Sequence, residues 1–253
     1  MKYKKFIIGG CSFTEEGGWA DCLRDYSRQF NKNIEFVNTA IGAQGNDLIQ
    51  KKCFLELVES LERYAPDEIA VFVMWSGTER KAYYIDNPQI INKDDKSILK
   101  DQHRFLNLKN QVNEQAGWLL TNTLGLNEGV VHRTNVTLAN SDRYFVHNTL
   151  ENMILLQSIC KLHNVKLYQN FYMSYVYSLI ETVKNDDMVR YLHKHLDYST
   201  FIDNKNIIYE FLKTQNNDEA FLRKDNHPTK EGYDFYWGQI LLPKLTNDGF
   251  FNG

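Results

Sequence analysis

Apolar residues along the chain gather in short blocks separated by polar, glycine-bearing stretches. Residues 5–10 form an apolar run that stops at Gly9-Gly10 and predicts a buried strand. Residues 19–30 can be helical, and 34–39 form a second strand candidate. Asn46 opens a helix in which Leu48, Ile49, Phe54, Leu57, Val58 and Leu61 recur at helical spacing, with Pro66 just beyond its end. Ile69–Trp75 (IAVFVMW) is the strongest strand. It is apolar on both faces, as a central parallel strand covered by helices on both sides must be.

From about 81 to 140 the pattern loosens into charged and Asn-rich pieces mixed with short apolar ones, which predicts an insertion or cap of irregular segments and short helices. A helix is expected over 141–163, a strand over 165–171, helices and loops over 176–222, and a closing helix over 230–245. Strands alternating with helices imply an α/β fold, a parallel sheet with right-handed crossovers. Sites in such sheets form outside the carboxyl ends of the strands. Attention therefore goes to the residues that follow Gly10, Thr39, Trp75 and Phe171.

The 253 residues suit one α/β domain carrying that insertion. With 43% hydrophobic and 24% charged residues, the class is soluble and globular. A net charge of −3 without a basic stripe argues against nucleic acid as a partner. The cysteines, Cys11, Cys22, Cys53 and Cys160, form no C-x-x-C pair, so neither a zinc site nor a disulfide framework is expected and a reducing compartment is the default. The apolar core of the MKYKKFIIGGCS start covers only residues 6–8, short of the roughly 7–15 that a signal peptide needs. No run is long enough to span a membrane. A cytoplasmic protein without a membrane partner is the expectation.

Four places carry candidate chemistry. Ser12, in Gly9-Gly10-Cys11-Ser12-Phe13-Thr14, stands on a tight turn whose glycines permit close approach. It reads either as a nucleophile or as a turn or capping serine. It is not the G-x-S-x-G elbow, because Thr14 takes the fifth position and the serine follows the first strand. His227, in Asp225-Asn226-His227-Pro228-Thr229, can face the sheet edge with Asp225 close enough to orient it; the other reading is a surface turn. The stretch 38–47 holds Gly42 and Gly45, whose backbone N–H groups can point at a developing oxyanion, and Asn46, which can cap the next helix. Ser76, Gly77, Thr78, Glu79 and Arg80 follow the central strand and read as a site wall or as an ordinary exit loop.

Taken together, a serine after the first strand, glycine-rich and polar turns after the next two, and an Asp/His pair near the end resemble the SGNH hydrolases, or GDSL-like lipases and esterases. The resemblance lies in short blocks between Phe6 and Gly232, and most of 81–222 carries none of it. It implies a flavodoxin-like three-layer α/β/α sandwich. It implies Ser12 as nucleophile, His227 as base and Asp225 as acid partner. Ser12 and Gly42 would supply oxyanion N–H groups, with Gly45 the alternative. Gly45, Asn46, Thr78 and Arg80 are further candidates to line the substrate.

Two departures stand out. Asp225 lies two residues before the histidine, where the family has three. The third block, usually Gly-x-Asn-Asp, is replaced by residues 76–80 without an Asn. Ser76 or Thr78 would then take the donor's place, whereas an ionised Glu79 only accepts. Loss of one oxyanion donor typically costs about 10²–10³ in rate. The implied activity is hydrolysis of a small acyl ester, such as an O-acetyl group on a carbohydrate, with no metal or organic cofactor. Two alternatives compete: a non-catalytic carbohydrate-binding or structural protein on the same fold, and a nucleotide binder using Gly9 and Gly10 for phosphate. The second lacks both G-x-G-x-x-G and a P-loop Lys-Ser/Thr pair.

Overall fold

The computed structural model describes residues 1–15, 17–42, 44–78, 80–85, 104–107, 117–122, 142–173, 180–181, 185–203, 207–215 and 218–252. Its centre is a parallel sheet of β1 (Lys5–Gly9), β2 (Glu35–Asn38), β3 (Ile69–Trp75) and a last strand, Lys166–Phe171, in the spatial order β2, β1, β3, last strand. That is the 2-1-3-4 winding of flavodoxin-like sheets.

Alternation along the strands sends side chains to two cores. Phe6, Ile8, Ala70, Phe72 and Met74 face one side and pack with α1 (Trp19–Ser27) and the C-terminal helices. Ile7, Val71, Val73 and Trp75 face the other and pack with α2 (Asn46–Leu61) and α3 (Asp142–Leu162). All seven residues of β3 are buried, as its unbroken apolar run requires. The result is a three-layer α/β/α sandwich. The strand ends that bear the site all point the same way, because every pair in the sheet is parallel.

The closing helix is not one uniform rod. It runs as α-helix over Lys230–Tyr236, widens to a π turn over Trp237–Leu241, and resumes over Leu242–Asn247. Pro243 explains the break: it brings no N–H to the ladder, and its ring crowds the preceding turn. Within the stretch expected to hold irregular segments and short helices, the described residues instead form three strands, β4 (Arg80–Ile85), β5 (Arg104–Asn107) and β6 (Gly117–Asn122). They make an antiparallel sheet in the order β4, β6, β5. Runs such as Ala82-Tyr83-Tyr84-Ile85 and Trp118-Leu119-Leu120-Thr121 are short and rich in aromatic and branched residues, which favours strands over helices. The last strand of the parallel sheet is therefore β7. The rest of 81–140, with Glu79 and Ser141, lies outside the described residues. Among those described, no helix is long and apolar enough to cross a membrane.

Candidate functional site

The segment that leaves β1 folds into a turn closed by a hydrogen bond from the Thr14 N–H to the Cys11 oxygen, 2.9 Å long. Cys11, Phe13 and Thr14 are buried, and Ser12, between them, turns outward. Gly10 has to be glycine: a Cβ there would lie 2.2 Å from Thr14 Oγ1 and 2.6 Å from Thr14 Cβ. The serine is thus displayed at the carboxyl edge of the sheet by a turn whose flanks are locked in the core.

His227 arrives from the other end of the chain on a tight loop. The Arg223 N–H donates to the His227 oxygen at 2.8 Å, and the Asn226 N–H to the Arg223 oxygen at 2.9 Å. Asn226 adopts φ 65°, a left-handed conformation that asparagine tolerates better than most residues. Thr229 then caps the first segment of the closing helix, Lys230–Tyr236, by accepting the Gly232 N–H at 3.1 Å. The sequence motif is therefore a turn and a helix start in one, and between them it aims the imidazole at Ser12.

His227 Nε2 lies 2.7 Å from Ser12 Oγ. On the other side of the ring, Nδ1 is 3.3 Å from the backbone oxygen of Asp225 and 3.4 Å from its Oδ2. Asp225 Oδ1 accepts the His227 backbone N–H at 3.2 Å. That bond holds the Asp225 carboxyl below the usual carboxylate range, and the charges of His227 and Arg223 act in the same direction. Asp225 is 65% exposed and His227 28%. Solvent therefore screens the carboxylate, and the main-chain oxygen shares in orienting the ring. A hydroxyl bonded to one ring nitrogen, with an acceptor at the other, is an arrangement able to remove the hydroxyl proton.

Beside this pair lies a cavity of about 240 Å³ lined by Ser12, Glu15, Gly17, Gly18, Arg223, Asp225, His227 and Tyr233. Burial pushes the Tyr233 phenol well above its ordinary range, so it faces the cavity as a neutral group. Glu15, Arg223 and Tyr233 were not singled out by the sequence. An acid in a turn and an arginine before an Asp-Asn pair look like solvated surface when only the linear order is known.

The residues expected to serve the oxyanion fare differently. The Gly42 N–H donates to Glu15 Oε1 at 2.5 Å, so in this arrangement that donor already holds a carboxylate. Ser76 is fully buried; its N–H donates to Asn46 Oδ1 at 2.8 Å, and its hydroxyl has no hydrogen-bond partner among the described residues. Asn46 does not cap its helix. Gly45 holds the cap position, and the Asn46 side chain instead reaches Ser76 O at 3.2 Å and Thr149 Oγ1 at 3.1 Å, tying α2 to the end of β3 and to α3. A Cβ on Gly45 would stand 2.5 Å from the Arg80 oxygen, so its place in the site is one of close backbone approach. Thr78 is buried. The Arg80 guanidinium lies 5.4 Å over the Tyr172 ring, which packs on Phe13, which stacks on His227. None of Gly42, Gly45, Asn46, Ser76, Thr78 and Arg80 lines the cavity beside Ser12. Among the described residues, no group of three His, Cys, Asp or Glu side chains is placed to hold a metal ion.

No family model matches the chain, and no curated protein matches it. Among solved structures, it is similar to a GDSL-like lipase from Bacteroides thetaiotaomicron VPI-5482, with a TM-score of 0.45 and 14% identity over 96% of this chain and 89% of that one. It is also similar to LAE5, an alpha/beta hydrolase enzyme from the metagenome of Lake Arreo, Spain, with a TM-score of 0.44 and 14% identity over 99% of this chain and 97% of that one.

Proposed function

We propose that this protein is a serine ester hydrolase of the SGNH type, with Ser12 as nucleophile, His227 as general base and Asp225 as the group that orients it. The observation that carries the reading is the 2.7 Å contact between Ser12 Oγ and His227 Nε2, made by residues 215 apart in sequence. The sequence blocks around the two residues support it as well.

In the proposed reaction His227 takes the Ser12 proton as Oγ attacks the ester carbonyl. The tetrahedral oxyanion is met by the Ser12 N–H and, once the Glu15 carboxylate turns aside, by the Gly42 N–H. The alcohol leaves with the proton from His227. Water, deprotonated by His227, then releases the acid from the acyl-enzyme. Asp225 and its backbone oxygen keep Nδ1 protonated and stabilise the imidazolium. Ser76 has no role in this reaction, being fully buried, away from the cavity and bonded through its N–H to Asn46. No metal or organic cofactor takes part.

The cavity's size and polar lining suit a small acyl group on a hydroxyl-rich alcohol, such as an O-acetylated carbohydrate. Two observations favour a second reading, a non-catalytic carbohydrate-binding protein on the same fold: the Gly42 N–H is held by Glu15, and the third-block Asn is missing. Hydrolysis of chromogenic acetyl and butyryl esters and of acetylated xylo-oligosaccharides separates the two. The proposal expects turnover by the wild type and its loss in Ser12→Ala. Equal rates in both proteins would contradict it.

A further inference from the structure

Ser12 must not only lie near an imidazole but be held there while it attacks. We infer that Asn38 and Gln44, from the two ends of the turn between β2 and α2, are positioning residues for the Ser12 nucleophile. This rests on the reading of Ser12 given above.

The segment bearing Ser12 leaves the sheet at Gly10 and ends its turn at Thr14. The Gln44 Nε2 donates to the Gly10 oxygen, and at 3.4 Å to the Thr39 oxygen. The Asn38 Nδ2 donates to the Thr14 oxygen at 2.7 Å. One carboxamide thus grips each end of the segment 10–14, with Ser12 at its midpoint. Each grip is itself anchored. Gln44 is fully buried, and Asn38 Oδ1 accepts the Ala40 N–H at 3.0 Å. The turn that carries both is registered on β1 by Thr39, whose N–H and hydroxyl donate to the Ile8 oxygen at 2.8 and 2.9 Å.

The chemistry of the residue types matches the task. The targets are two carbonyl oxygens, and a side-chain amide donates to them where a carboxylate cannot. Neither side chain lines the cavity beside Ser12, so neither is placed to contact a substrate there. Their removal should then alter the attack and leave binding alone.

The test uses Asn38→Asp, isosteric but without the donor when ionised, and Gln44→Met, of similar length and without a donor. Labelling with a fluorophosphonate gives both the fraction of chains that react and the rate constant of those that do. Steady-state assays on one small ester give kcat and KM. A displacement of about 1 Å can cost 10²-fold, so labelling rate and kcat should fall roughly 10–100-fold. KM should stay within about twofold and the labelled fraction near that of the wild type, since uniform binding is untouched. Two results would overturn the inference: wild-type rates in both variants, or a loss that lies wholly in the labelled fraction with the rate constant unchanged, the mark of a merely structural role. Absence of Ser12 labelling in the wild type would remove the nucleophile reading and this inference with it. Asn38→Asp, at a half-exposed strand end, keeps the test open where Gln44→Met does not fold.

Discussion

The imidazole of His227 is stacked on the ring of Phe13, with centroids 4.6 Å apart and planes inclined at 29°. Phe13 follows Ser12 directly and packs in turn on Tyr172, 4.8 Å away. The turn that carries the proposed nucleophile therefore supplies the surface on which the proposed base rests. Phe13→Leu keeps an apolar plug but removes the stacking. An aromatic pair is worth about 0.5–1.5 kcal/mol beyond its area, so kcat/KM should fall roughly 2–12-fold, and because Phe13 is buried in the core the melting temperature should fall as well. An unchanged rate would mean that His227 is held by its loop alone.

Asp225 should matter less than a buried triad aspartate. It is largely exposed, and Nδ1 keeps the Asp225 backbone oxygen at 3.3 Å whatever the side chain is. Asp225→Ala is expected to lower kcat by about 10–100-fold, against the ~10⁴ typical of a buried triad aspartate. A loss of the larger size would make the carboxylate the sole orienter.

In the proposed reaction Glu15 and the oxyanion would compete for the Gly42 N–H. Glu15→Ala frees the Gly42 donor and should raise kcat for a small neutral ester by about tenfold, part of the ~10²–10³ that one donor is worth. Glu15→Gln keeps an acceptor and should fall between. A lower rate in Glu15→Ala would show that Glu15 serves the substrate rather than blocking the donor.

At the opposite end of the sheet, Lys5 is fully buried between Glu35 and Glu56, and Glu35 also accepts from Tyr64 and Arg63. Hydrogen bonds from Lys5 and Tyr64 lower the Glu35 carboxyl from 4.5 to about 2. A carboxyl lowered by folding adds stability above its unfolded value and loses it as pH falls through the folded one. Chemical denaturation should show wild-type stability falling between about pH 4.5 and 2. Glu35→Gln should be less stable at pH 7, with the gap closing across that window. A gap independent of pH would assign the loss to packing rather than charge.

Much of this was legible in the residues. The β3 run is apolar on both faces, and that alone places it centrally. Ser12 and His227 sit where a parallel sheet puts its functional groups, after a strand and before a helix. What stayed hidden depends on partners far apart in the chain. Nothing near Glu15 says that it meets Gly42, 27 residues on. Asn46 has the composition of a helix cap, but its amide is drawn across to Ser76 because buried polar groups at the end of β3 need partners. The strands over 80–122 were obscured because short mixed runs carry no clear period. The π turn at 237–241 needed Pro243 to be weighed against an otherwise helical pattern.

In the proposed mechanism Ser12 is the nucleophile and His227 activates it. Labelling with a fluorophosphonate, followed by peptide mass spectrometry, tests this most directly. The expected result is one phosphonyl group per chain, on Ser12, absent in Ser12→Ala and strongly slowed in His227→Ala. Labelling at another residue, or none under conditions that label a serine esterase control, would contradict it.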